Sequence, residues 1–130
     1  MKKHTLKGKA LAQRIAQLAD SKKAEKISLV SLEESAGIAD WFVICQGDNT
    51  AHNRAIADAV EEGMKEEGVS AWHIEGREDS RWVLLDFSDV VVHVLLPELR
   101  DYYKLEELWP GALRAAVKTG KAVKRELDNG

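Results

Sequence analysis
The stretch RWVLLDFSDVVVHVLL, residues 81–96, decides the fold class of this chain. Two runs rich in valine and leucine, 82–87 and 90–96, are separated only by Ser88-Asp89, a spacing that predicts a β-hairpin. Strand side chains alternate, so Trp82, Leu84 and Asp86 share one face, and Val83, Leu85 and Phe87 share the other. On the second strand Val91, His93 and Leu95 alternate with Val90, Val92, Val94 and Leu96. Both faces are apolar, and each needs a cover. Helices of the same chain can supply both covers, or a partner can supply one, since a large exposed apolar patch marks a protein interface. The pattern leaves these two possibilities level. Asp86, Asp89 and His93 stand inside core-type sequence, where an unsatisfied polar group is costly, so each needs an explanation.

Working outward, AWHIE (71–75) reads as a short strand, followed by a turn at 76–80. Upstream of it, GDNTAHNRAIADAVEEGMKEEG (47–68) carries Ile56, Val60, Gly63 and Met64 on one helical face and Glu61, Glu62, Lys65 and Glu66 on the other. Asp48, Asn49 and Thr50 are all N-cap types, and Gly68 is placed to end this helix. WFVICQ (41–46) is a continuous apolar run of strand length, suited to a central strand buried on two sides. KISLVSLEE (26–34) is a further strand, with a turn at 35–39, and Leu11, Ile15 and Leu18 define a first helix over about 5–20. Downstream, Pro97 stops the hairpin and opens a short helix over about 98–108, before Trp109-Pro110-Gly111 breaks the chain. Leu113, Ala116 and Val117 have helical spacing, interrupted by Gly120, and predict a weakly docked terminal helix. The expected fold is α/β, a mixed five-stranded sheet with flanking helices, formed by residues 1–110 and followed by a tail at 111–130.

Length and composition agree with one domain: the chain has 130 residues, 45% apolar and 32% charged. Its single cysteine, Cys45, lies in an apolar run and reads as a buried, inert thiol. No stretch has the length of a membrane span, and the N-terminal lysines are not followed by a signal-peptide apolar region, so a cytoplasmic location is expected. The net charge of −3 is unevenly distributed. Residues 111–130 hold five basic and two acidic residues, while the other 110 hold 14 basic and 20 acidic. An acidic body repels a nucleic-acid backbone and favours encounter with a basic protein.

Enzymatic chemistry finds little support. Gly47-Asp48-Asn49-Thr50 is a glycine turn between strand and helix, but it lacks the endings of a P-loop or a dinucleotide fingerprint. The turn also resembles the opening of a nucleotidyltransferase motif, in which paired acids on the next strand hold two metals. Here that strand is AWHIE, without the pair, and Asp86 and Asp89 are three apart, on opposite faces of a continuing strand. His52, His73 and His93 have no metal-ligand spacing, no G-x-S-x-G occurs, and no strand alternates aromatic with basic residues. No catalytic residue, cofactor or metal is expected.

Three segments, ADWFVICQGDNTAHNRAIADAVEE, HIEG and WVLLDFSDVVVHVLLPELRDYYKLEELW, in this order, resemble the ribosomal silencing factor family, also called Iojap. The likeness covers about residues 6–110; Asp48-Asn49 stands where the family usually has Thr-Ser, and Ser88 where it usually has Gly. The resemblance implies a nucleotidyltransferase-like fold without catalytic acids. It further implies binding to ribosomal protein fourteen of the large subunit (uL-fourteen), steric exclusion of the small subunit, and repression of translation under nutrient limitation. It implies a homodimer for the free protein. By motif position, the implied binding residues are Trp82, Leu84, Asp86, Asp89 and His93, with Tyr102, Tyr103, Leu105 and Glu106. Trp82 and the tyrosines are aromatic anchors, and Asp86 and Glu106 suit basic partners. Asp89 also has a local explanation as turn chemistry, and His93 as a brace of the sheet. Large-subunit assembly and nucleotidyl transfer are the alternatives, and the basic tail is a candidate contact for ribosomal RNA.

Overall fold
A computed structural model describes residues 8–32, 40–104 and 113–117. Helix α1 (Gly8–Ser21) leads into β1 (Glu25–Ser31) and β2 (Trp41–Gln46), followed by α2 (Thr50–Glu66). Strands β3 (His73–Glu75), β4 (Trp82–Asp86) and β5 (Val90–Leu95) come next, then α3 (Pro97–Tyr103) and β6 (Leu113–Val117). The strands form a single mixed sheet in the order β3-β4-β5-β2-β1-β6. Only β2 and β5 are parallel; every other neighbouring pair is antiparallel. This parallel pair lies at the centre, covered on two sides, which is why β2 reads as an apolar run up to Gln46 and β5 as one interrupted only by His93.

The five foreseen strands are present, and a sixth joins them. Residues 113–117 were expected to form a docked helix; instead they pair with β1 from Ile27↔Val117 to Ser31↔Leu113. They extend the sheet past the expected boundary at residue 110. The open edge of β1 explains the difference, since its unpaired backbone groups gain partners that a helix could not give them. The turn expected at 35–39 lies outside the described residues; the helix expected over about 98–108 ends at Tyr103, closed by Lys104, and 105–108 lie outside the described residues.

One face of the sheet carries α1 and α2. Leu11, Ile15 and Ala19 of α1 and Ile56, Val60 and Met64 of α2 close over Val43, Cys45, Val83, Leu85, Val92 and Val94, all but Leu11 fully buried. The opposite face gathers Val30, Phe42, Ile44, Val91 and Leu95, with Trp82, Leu84 and Leu99 of α3 packed against them. Alternation along 82–86 is as expected: Val83 and Leu85 are buried towards the helices, while Trp82, Leu84 and Asp86 are partly exposed on the other side.

Short α3 is held to this second face by Arg100. Its guanidinium donates to the Lys26 carbonyl (2.6 Å), to Gln46 Oε1 (3.3 Å) and to Ser28 Oγ (3.1 Å). The Lys26 carbonyl is available because β1 bulges there: its register with β2 shifts between Glu25 and Ser28, and Lys26 has φ 50°. Pro97 at the first turn pre-sets the helix, and Lys104 in the left-handed region closes it.

Candidate functional site
The second face of the sheet carries most of the described residues that the resemblance points to. Trp82 lies on β4, diagonal to His93 on β5, since Leu84 pairs with His93 and Trp82 with Leu95. The indole Nε1–H donates to His93 Nδ1 at 3.1 Å. Tyr103, at the end of α3 and 47% exposed, brings its ring to 5.3 Å from that of Trp82 at an interplanar angle of 52°. Leu84 continues the patch along β4, and Asp86 ends it beside the turn. The result is an aromatic pair with an aliphatic and an acidic neighbour on one partly exposed surface.

Asp86 also serves the hairpin. Its Oδ1 accepts the Ser88 N–H at 2.8 Å, an Asx turn. Asp89, which the sequence favours for the turn, contributes mainly backbone: its carbonyl accepts the N–H groups of Asp40 (2.8 Å) and Trp41 (3.1 Å), tying the turn to the start of β2. His93 is not a surface residue. It is 5% exposed, with Ile44 and Leu84 as its cross-strand neighbours and Phe42 edge-on at 4.6 Å. Burial lowers its pKa from 6.5 to about 4, so the ring is neutral at ordinary pH. The side chain of Tyr102, and Leu105 and Glu106 entirely, lie outside the described residues. Sequence reasoning missed Arg100, which fixes the helix that presents Tyr103; a lone arginine in LPELRDYY gives no local sign of partners on β1 and β2.

The glycine turn before α2 is filled by its own chain. Asn53 Oδ1 accepts the Gly47 N–H (2.9 Å), His52 Nδ1 accepts the Asp48 N–H (2.9 Å), and Asn49 Oδ1 accepts the His52 N–H (2.8 Å). A Cβ at Gly47 would stand 2.6 Å from Asn53 Oδ1, so the glycine is needed for the contact with Asn53. The N–H groups of Gly47, Asp48 and His52 thus already have side-chain partners within the turn, and Asn49 acts there as an ordinary helix cap. Cys45 is fully buried, and burial raises its thiol to about 12 against the opposing charge of Arg100, leaving it unreactive.

Comparison with known proteins gives the family of the chain. The sequence model of the family described as ribosomal silencing factor during starvation matches residues 5–129. The chain belongs to the ribosomal silencing factor family. A ribosomal silencing factor from Halalkalibacterium halodurans is 41% identical over 104 residues, covering 77% of this chain and 89% of that protein. The crystal structure of a Chromobacterium violaceum protein superposes with a TM-score of 0.71 at 34% identity, covering 85% of this chain and 97% of the other. A mouse protein named mitochondrial assembly of ribosomal large subunit protein 1 is 30% identical over 98 residues, covering 73% of this chain and 43% of its own. None of these names is that of an enzyme. As a member of the silencing factor family, the chain is ribosome-related, and no helix among the described residues is long and apolar enough to cross a membrane.

Proposed function
We propose that this chain docks on the large ribosomal subunit through ribosomal protein fourteen and, by its bulk on the intersubunit side, keeps the small subunit from joining. The observation that carries this is the face of Trp82, Leu84, Asp86 and Tyr103 on a member of the silencing factor family. Tryptophan and tyrosine dominate interaction hot spots because they bury a large area at little rotamer cost. The acidic body and Asp86 suit a basic ribosomal protein. The same proposal takes the fold as nucleotidyltransferase-like without its chemistry, and the free protein as a homodimer. Support for the lost chemistry comes from the Gly47 turn, whose N–H groups are engaged by Asn53 and His52.

Sucrose-gradient sedimentation tests the proposal. Added protein is expected to co-migrate with large subunits and to deplete the joined-ribosome peak. Trp82→Ala, if folded, is expected to lose about 2–4 kcal/mol of subunit binding. Unchanged subunit joining at saturating protein sinks the silencing claim, and normal binding by the folded variant removes Trp82 from the contact. The name of the mouse relative favours a second possibility, action on a maturing large subunit. Accumulation on immature rather than mature large subunits would select it.

A further inference from the structure
Beneath the aromatic pair, His93 makes a choice that packing alone does not explain. An indole N–H only donates, so His93 Nδ1 must be the acceptor and the ring's proton sits on Nε2. That Nε2 is buried and has no hydrogen-bond partner among the described residues. A buried unsatisfied donor is destabilising, and an apolar side chain between Ile44 and Leu84 would avoid the penalty. The imidazole therefore weakens this part of the core, and what it supplies in return is one acceptor, aimed at a partly exposed tryptophan. Phe42, edge-on at 4.6 Å, packs against the imidazole from the side of β2. Tyr103 flanks the indole from α3.

We propose that His93 is a positioning residue for recognition, holding the Trp82 indole with its N–H directed into the sheet and its ring set beside Tyr103. This rests on the docking role given to that face above. A tryptophan held in its bound orientation before the partner arrives loses less rotamer freedom on docking, which is the general source of affinity from pre-organisation. His93 itself, being buried, makes no direct contact.

The experiment pairs nuclear magnetic resonance of the free protein with binding to purified large ribosomal subunits. The indole N–H signal of Trp82 is assigned by its loss in Trp82→Phe. In His93→Leu it is expected to shift and to exchange faster with solvent, and subunit affinity to fall about tenfold, the size of one lost hydrogen bond. His93→Asn places an amide oxygen near the position of Nδ1 and is expected to retain most of both properties. In a Trp82→Phe background, His93→Leu is expected to add nothing to the loss of affinity; a merely structural histidine would give additive losses. If His93→Leu does not fold, His93→Phe keeps a ring and removes the acceptor. A weakened Trp82→Phe beside a folded, unweakened His93→Leu overturns the positioning role alone. A Trp82→Phe chain that binds normally overturns the docking role of the face, and the role of His93 in recognition with it.

Discussion

Ser88 has a backbone φ of 77°, and across it the Asp89 N–H donates to the Phe87 carbonyl at 3.0 Å. This is a three-residue turn of the positive-φ kind, strained for any residue that carries a Cβ. Asp86 offsets part of the strain by accepting the Ser88 N–H. The position of the hairpin was legible in the sequence, but its chemistry was not. Asp89 occupies the connection and so attracts the turn role, whereas the carboxylate that serves the turn sits two residues before Ser88, on the face that alternation shares with Trp82 and Leu84. Relief of the Cβ clash contributes about 1–2 kcal/mol, and glycine's extra freedom in the unfolded chain removes about half of that. Ser88→Gly is therefore expected to raise stability by about 0.5–1 kcal/mol, seen as a higher denaturant midpoint at unchanged slope. A lower midpoint would show that the turn is not strained.

Among the elements, β6 is the one that local pattern misrepresents. Leu113, Ala116 and Val117 are spaced like one helical face, and LRAAV is alanine-rich, a composition depleted in strands. What makes it a strand is distant in sequence: the edge of β1, which pairs with it over five residues. By contrast β2, α2, β4 and β5 were legible because their signals are local, namely valine- and leucine-rich runs of strand length, a two-residue break between two of them and an N-cap cluster. Asn49 indeed caps α2. Arg100 belongs with β6 on the illegible side, since its partners on β1 and β2 lie 54 to 74 residues away. A chain ended at residue 111 is thus expected to be less stable than one ended at 117, with a lower denaturant midpoint and faster hydrogen exchange at the β1 amides that face β6. Equal stability and equal protection would mean that β6 adds nothing to the sheet.

At the scale of the whole molecule, one sheet separates two core clusters. The face under α1 and α2 holds the larger core cluster, and the face under α3 holds a smaller cluster whose rim is Trp82, Leu84 and Tyr103. Alternation in the sequence sorted Leu84 from Leu85 correctly, but it could not tell how much of the second face α3 covers or that His93 lies below the surface. Adjacent leucines therefore offer a direct contrast. Leu85 is fully buried against the helices, so Leu85→Ala is expected to cost about 2–5 kcal/mol of stability through the cavity it leaves. Wherever that variant remains folded, its affinity for large subunits should be close to that of the parent. Leu84 is only partly buried, so Leu84→Ala is expected to cost less than half as much stability while weakening subunit binding several-fold. Chemical denaturation and subunit sedimentation of the two variants, measured side by side, check the division. If Leu84→Ala binds like the parent while Leu85→Ala binds poorly, recognition belongs on the helical side of the sheet.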